Sequence, residues 1–73
     1  MTITEMFYAC TNIINEAVVK MYVSVDDFYE RSTPIATERY HSMDEETKNL
    51  LITRFYVSKD GEVVYVLLKT EVK

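Results

Sequence analysis

One glycine constrains this chain more than any other residue. Gly61 is the only glycine in the sequence, and it follows Asp60 between two apolar runs, 51–58 and 62–69. The Val, Leu, Ile, Phe and Tyr of these runs suit a pleated, half-buried surface. Asp-Gly between two such runs predicts a β-hairpin across 51–69, because glycine accepts a positive φ without a Cβ clash. Two turns compete. A two-residue loop at Asp60-Gly61 pairs Lys59 with Glu62, Val57 with Val64 and Phe55 with Val66. One face then carries Phe55, Val57, Val64, Val66 and Leu68, and the other Arg54, Tyr56, Tyr65 and Leu67. A type I turn with a bulge at Gly61 instead sets Val63, Tyr65 and Leu67 beside Phe55 and Val57. A slip of one residue sends every side chain to the opposite face. The first register gives the cleaner apolar face and is the one expected.

The rest of the chain has to pack on this hairpin. Thr2 and Glu5 have capping-box spacing, and Ile3, Met6 or Phe7, Cys10 and Ile13 or Ile14 recur at helical steps, which predicts a helix over Met1–Asn12. Asn15-Glu16 would close it. Ala17–Val25 alternates, with Val19, Met21, Val23 and Val25 on one side, and reads as a strand. Asp26-Asp27 is a turn candidate, and Phe28–Arg31 reads as a second, shorter strand returning against the first. Thr33 before Pro34, the only proline, suits a helix start. A further start is available at Ser42, with Glu45 at capping-box spacing; 34–50 is thus one interrupted helix or two short ones. The tail, Thr70-Glu71-Val72-Lys73, is expected to fray. The order α-β-β-α-β-β implies a small single α+β domain over 1–73, an antiparallel sheet with helices on one face.

At 73 residues the chain buries only about 60% of its unfolded surface, and one cysteine, Cys10, supplies no internal disulfide. A homodimer or a protein partner would relieve that thin margin. The composition, 48% hydrophobic and 27% charged, is that of a globular domain. A net charge of −4 argues against general nucleic-acid binding and against an anionic membrane surface. No apolar run approaches the roughly 20 residues that span a bilayer. The N-terminus lacks the shape of a signal peptide, and the single thiol fits the cytoplasm.

Catalytic sets are missing. Cys10 reads as a small core residue, since no basic neighbour in sequence would activate its thiol. His41 is the only histidine, and nothing in the spacing joins it to Cys10, although a Cys/His enzyme remains a third reading. Asp26-Asp27 and Asp44-Glu45-Glu46 read as a turn and a helix start rather than a metal site, and one glycine excludes the phosphate-cradling fingerprints. Neither catalysis nor a cofactor nor a metal is expected.

Tyrosine is what stands out: six residues, with no tryptophan. Tyrosine offers a rigid ring with a polar tip and is enriched at interfaces. In the expected register Tyr56 and Tyr65 are cross-strand partners beside Arg54 and Leu67, and Tyr22 and Tyr29 extend the face if the two halves share a sheet. These six residues are the interface candidates. A small regulatory nucleic-acid-binding protein is the alternative, with bases stacked on this face, but Arg54 and Lys20 are few cations for the purpose. The helix ITEMFYACTNI, the strand VVKMYV and the hairpin FYVSKDGEVVYV together resemble small proteins encoded by phages and mobile elements of gut Firmicutes. The resemblance implies a non-enzymatic interaction module, of the kind that includes inhibitors of host defence such as anti-CRISPR proteins.

Overall fold

The hairpin forms, and in the expected register. In the computed structural model, which describes residues 1–14 and 16–69, strands β3 (Ile52–Val57) and β4 (Val63–Leu68) set Phe55 opposite Val66, Tyr56 opposite Tyr65 and Val57 opposite Val64. The turn is longer than the two-residue loop. Gly61 N–H donates to the Ser58 carbonyl (3.0 Å) and Ser58 N–H to the Val63 carbonyl (2.9 Å). The closing pair is therefore Ser58 and Val63, and Lys59–Glu62 all lie in the loop. Adding one residue to each side of a turn leaves the register unchanged, so the division into two faces survives. Asp60 ties the loop down by accepting from the Ser58 hydroxyl (2.6 Å) and the Glu62 N–H (3.0 Å).

Gly61 is required twice over. Its φ is +74°, in the left-handed region. A Cβ there would also overlap the Asn12 carbonyl, since the segment after the first helix lies directly on the turn. Ile14 N–H donates to the Gly61 carbonyl (3.1 Å) and fixes that contact.

Strand β1 (Val18–Tyr22) falls inside the expected span. It lies at the centre of a four-stranded sheet, between β4 and β2 (Ala36–Arg39), in the order β2-β1-β4-β3. The α+β class holds, but the sheet is mixed rather than antiparallel throughout: β1 runs parallel to β4, with Val19 beside Val64 and Met21 beside Val66. On one face these two central strands carry buried apolar residues: Val19 and Met21 on β1, and Val64 and Val66 on β4.

The first face of the sheet is closed over its two central strands. Helix α1 (Ile3–Ala9) starts at the expected capping box: Glu5 N–H donates to the Thr2 hydroxyl (3.1 Å), and Thr2 N–H to the Glu5 carboxylate (2.7 Å). It ends at Ala9 rather than Asn12, because Cys10 turns extended. Ile3 and Met6 of α1 join Ala17, Val19, Met21, Met43, Ile52, Val64 and Val66 in one dry core, and half-buried Cys10 packs against it as a small apolar residue. Each of the Ile, Val and Met side chains contributes about 1.5–3 kcal/mol on full burial.

The middle of the chain departs from expectation. Residues 26–30 are neither turn nor strand but belong to helix α2 (Val25–Glu30), with Arg31 as its C-cap; the Ser24 hydroxyl caps its start and accepts from Asp27 N–H (3.4 Å). The Asp26-Asp27 pair is its first turn, where acidic groups favour the helix dipole. This helix lies on the second face, so the helices are not all on one side: Phe28 of α2 meets Tyr22 and Leu67 in a separate small core. Pro34 starts no helix. It leads into β2, and Ile35 N–H donates to the Met21 carbonyl (2.8 Å). The open edge of β1 offers the segment a ladder that an isolated short helix cannot match. A single 3-10 turn (Tyr40–Ser42) follows, then helix α3 (Glu45–Lys48), whose cap is Asp44 rather than Ser42. Asn15 and the expected fraying tail, 70–73, lie outside the described residues.

Candidate functional site

The second face of the sheet is only half covered. By register it carries Arg54 and Tyr56 from β3, Val63, Tyr65 and Leu67 from β4, Val18, Lys20 and Tyr22 from β1, and Thr37 and Arg39 from β2. Helix α2 spans six residues and covers only the corner at Tyr22 and Leu67.

An aromatic run crosses this face. Tyr29, Phe28, Tyr22, Tyr65 and Tyr56 follow one another with centroid separations of 5.2, 6.1, 6.4 and 6.1 Å. These are ordinary distances for edge-on or tilted aromatic pairs. The run begins on exposed Tyr29, dives into the second core at Phe28 and Tyr22, and returns to the surface at Tyr65 and Tyr56. Its ends border a groove of about 380 Å³ lined by Phe28, Tyr29, Arg31, Thr53, Arg54, Phe55 and Tyr56.

The structure thus sorts the six expected interface residues. Tyr29, Arg54 and Tyr56 are exposed around the groove, and Tyr65 is half-buried between Tyr56 and Tyr22. Tyr22 and Leu67 are shut in at 1% and 5% exposure and hold α2 on the sheet. The Tyr22 hydroxyl donates to the Ser32 carbonyl (3.0 Å). Burial raises its pKa, the Tyr65 phenol adds to the rise, and the Arg31 guanidinium opposes it.

Arg31 is the residue that sequence reasoning missed. It ends α2 in the left-handed conformation, φ 53° and ψ 40°, where glycine is usual. Ser32 N–H reaches back to the Asp27 carbonyl (3.1 Å) to complete the helix end. The Arg31 guanidinium lies 4.3 Å from the Tyr56 ring centroid and 5.1 Å from that of Tyr65. Lys20 joins it, with its ammonium 5.7 Å from the Tyr65 centroid. Such contacts are worth about 0.5–1 kcal/mol each at exposed sites. The signal that points to Arg31 is the capping spacing of Ser24 and Asp27, which starts the helix that Arg31 ends.

Charge is unevenly spread. Of eight Lys and Arg in a chain of net charge −4, four belong to this face: Lys20, Arg31, Arg39 and Arg54. Arg39 sits at its far end and donates to the Glu16 carbonyl (3.2 Å). The acids of α2 gather mostly in its first turn, and Asp27 accepts from the Ser32 hydroxyl (2.9 Å). The acidic triplet Asp44-Glu45-Glu46 is instead the cap and first turn of α3.

Elsewhere, His41 is exposed in the 3-10 turn, and Cys10 is packed on the first core. Among the described residues no three His, Cys, Asp or Glu side chains converge to hold a metal. No helix among them is long and apolar enough to cross a membrane.

Fold and site together define a small α+β domain with a four-stranded mixed sheet, one face sealed and the other aromatic and cationic. No family model matches the chain, and no match was found among curated proteins or solved structures.

Proposed function

We propose that this domain is a non-enzymatic interaction module that binds a protein partner through the half-covered face of its sheet. One observation carries the reading: the exposed end of the aromatic run, Tyr56 with Tyr65, is overlaid by Arg31 and Lys20 beside an open groove. Tyr and Arg are the residues that dominate protein interfaces, because both offer large contact area with a polar end. Base stacking is favoured less. It needs free ring faces, and here cations already lie over Tyr56 and Tyr65. The narrower role implied by the phage resemblance, inhibition of a host defence protein in the cytoplasm, is one form of this reading.

The test is comparative capture. Tagged wild-type protein, a Tyr56→Ala/Arg54→Ala variant and a Tyr8→Ala control are used to capture partners from nuclease-treated lysate of the source cell. Sedimentation velocity on the same samples reads self-association. A partner or dimer kept by wild type and control but lost by the double variant is the expected result. Capture that is unaffected by the double variant, or abolished by nuclease, would refute the reading.

A further inference from the structure

The groove has a second boundary, the free edge of β3. Strand order leaves β3 at the edge of the sheet. The N-terminal residues pair only with its beginning: Ile52 N–H donates to the Met1 carbonyl (2.8 Å), and Thr2 bridges Leu51. Past that point the outer side of Thr53–Val57 has no strand partner among the described residues. Natural edges are usually blunted or covered, because a row of unpaired N–H and C=O groups accepts a further strand. Here the bulge between Ile52 and Arg54 disturbs only the first residues.

Burial along β3 is that of a strand short of a neighbour. Thr53, Arg54, Phe55 and Tyr56 are all exposed, so both faces of the strand are open at once. Phe55 shows it best. By register it shares the sealed face with Val64 and Val66, yet it is 37% exposed while they are fully buried. What Phe55 lacks is cover from the edge side.

Charge says what the missing neighbour carries. Arg54 stands on β3, and Arg31 faces the same groove from α2. Among the described residues the Arg31 guanidinium donates to the Tyr29 carbonyl (3.3 Å), a neutral acceptor that leaves most of its donors free. Arginine forks match carboxylates bidentately. The left-handed backbone at Arg31 favours glycine, so a non-glycine side chain persists there against the local preference.

We infer that β3 accepts an extended acidic segment of the protein partner as an added strand, with alternate carboxylates on Arg54 and Arg31 and the intervening apolar side chains against Phe55. The inference rests on the interaction reading above and gives that face its partner chemistry. Backbone pairing along the edge supplies affinity, and the alternation supplies specificity. A segment of acid-apolar-acid-apolar pattern fits both faces of β3, whereas a uniformly acidic one leaves Phe55 uncovered.

The test is an amide and arginine-Nε NMR titration of the whole chain. The probes are an end-capped eight-residue peptide alternating Glu and Val, its Lys/Val counterpart, and a ten-residue oligothymidylate. The Glu/Val peptide is expected to shift Thr53–Val57 amides together with the Arg31 and Arg54 Nε signals. Affinity should fall at least tenfold in Arg31→Gly, which keeps the helix end, and in Arg54→Gln. Higher salt should weaken it further. Absence of β3 shifts, equal binding of the Lys/Val peptide, indifference to both substitutions, or tighter binding of the oligonucleotide at the same residues would each overturn the inference. The two proposals fail separately: partner capture lost in Tyr56→Ala/Arg54→Ala but no peptide effect at β3 sinks only the acidic strand, whereas capture indifferent to the double variant sinks the interaction face itself.

Discussion

The two faces of one sheet have been built to opposite specifications. The first is aliphatic and dry: Val19, Met21, Val64 and Val66 are at most 2% exposed beneath Ile3 and Met6. The second is aromatic and cationic, and only the corner under α2 is closed. Both faces come from the same strands by simple alternation, so the contrast is a choice of side chains rather than of backbone. A domain of 73 residues has few apolar groups to spend on a core. The first face takes most of those that are buried, and stability should depend on it more than on the small core under α2.

Substitutions on the two faces should therefore differ most in size. Ile3→Ala, on the sealed face, should cost about 2–5 kcal/mol by truncating a fully buried side chain, whereas Tyr56→Ala on the open face should stay within about 0.5–1 kcal/mol. Urea unfolding of both variants checks this, and equal losses would erase the distinction between the faces. Gly61→Ala should cost at least about 1–2 kcal/mol from the left-handed backbone, with the overlap on the Asn12 carbonyl adding to it. The same measurement applies, and a neutral outcome would mean that the segment around Asn12 does not press on the turn.

Arg31→Gly sharpens the comparison from the other side. It should stabilise the fold, or leave it unchanged, by up to about 1 kcal/mol, because the helix end favours glycine, while the two ring contacts are lost. Together with weakened partner binding, that pattern would mark Arg31 as kept for contact rather than for stability. A clear destabilisation in thermal melts would make it a structural clamp instead.

The smallest effect is electrostatic and lies outside both faces. The Asp44 carboxyl titrates below its usual range because Thr47, chiefly through its backbone N–H, bonds it; Asp60 does so because of the Ser58 hydroxyl and then the Glu62 N–H. Groups with lowered folded values stabilise above the unfolded value and lose that contribution as pH falls through the folded one. The contribution of these two carboxylates should be fully present at neutral pH and decline as acid is added below about 3.8. Asp60→Asn, which keeps an acceptor, should shallow that acid limb without moving the neutral plateau, as followed by pH-dependent unfolding; an unchanged limb would discount the turn carboxylate.

What sequence could reveal tracks how local the cause is. The hairpin register followed from two alternating runs around a single glycine, and Arg54, Tyr56 and Tyr65 were placed with it. The capping box of α1 was equally local. Residues 24–50 were opaque because each signal there has two readings. Ser24 with Asp27 caps a helix, while Asp26-Asp27 alone reads as a turn. Thr33-Pro34 suits a helix start, but a residue before proline also favours extended backbone. Residues 36–39, Ala-Thr-Glu-Arg, have no strand character of their own and are drawn into the sheet by the free edge of β1. Arg31 was lost with α2, since only that helix carries it over the tyrosine rings.

The parallel pairing of β1 with β4 also sets a timetable. Val18 and Val63 are neighbours although about 45 residues separate them in sequence, so β1 has no central partner until the last strand has been made. During synthesis the chain must carry one of its most apolar segments unpaired, with only β2 available to it, while the hairpin is still inside the ribosome. Protease digestion of ribosome-arrested chains should find β1 cleavable until β4 has emerged; protection any earlier would contradict this order. Completion of the sheet thus waits on its last strand, since β4 is what joins β1 to β3.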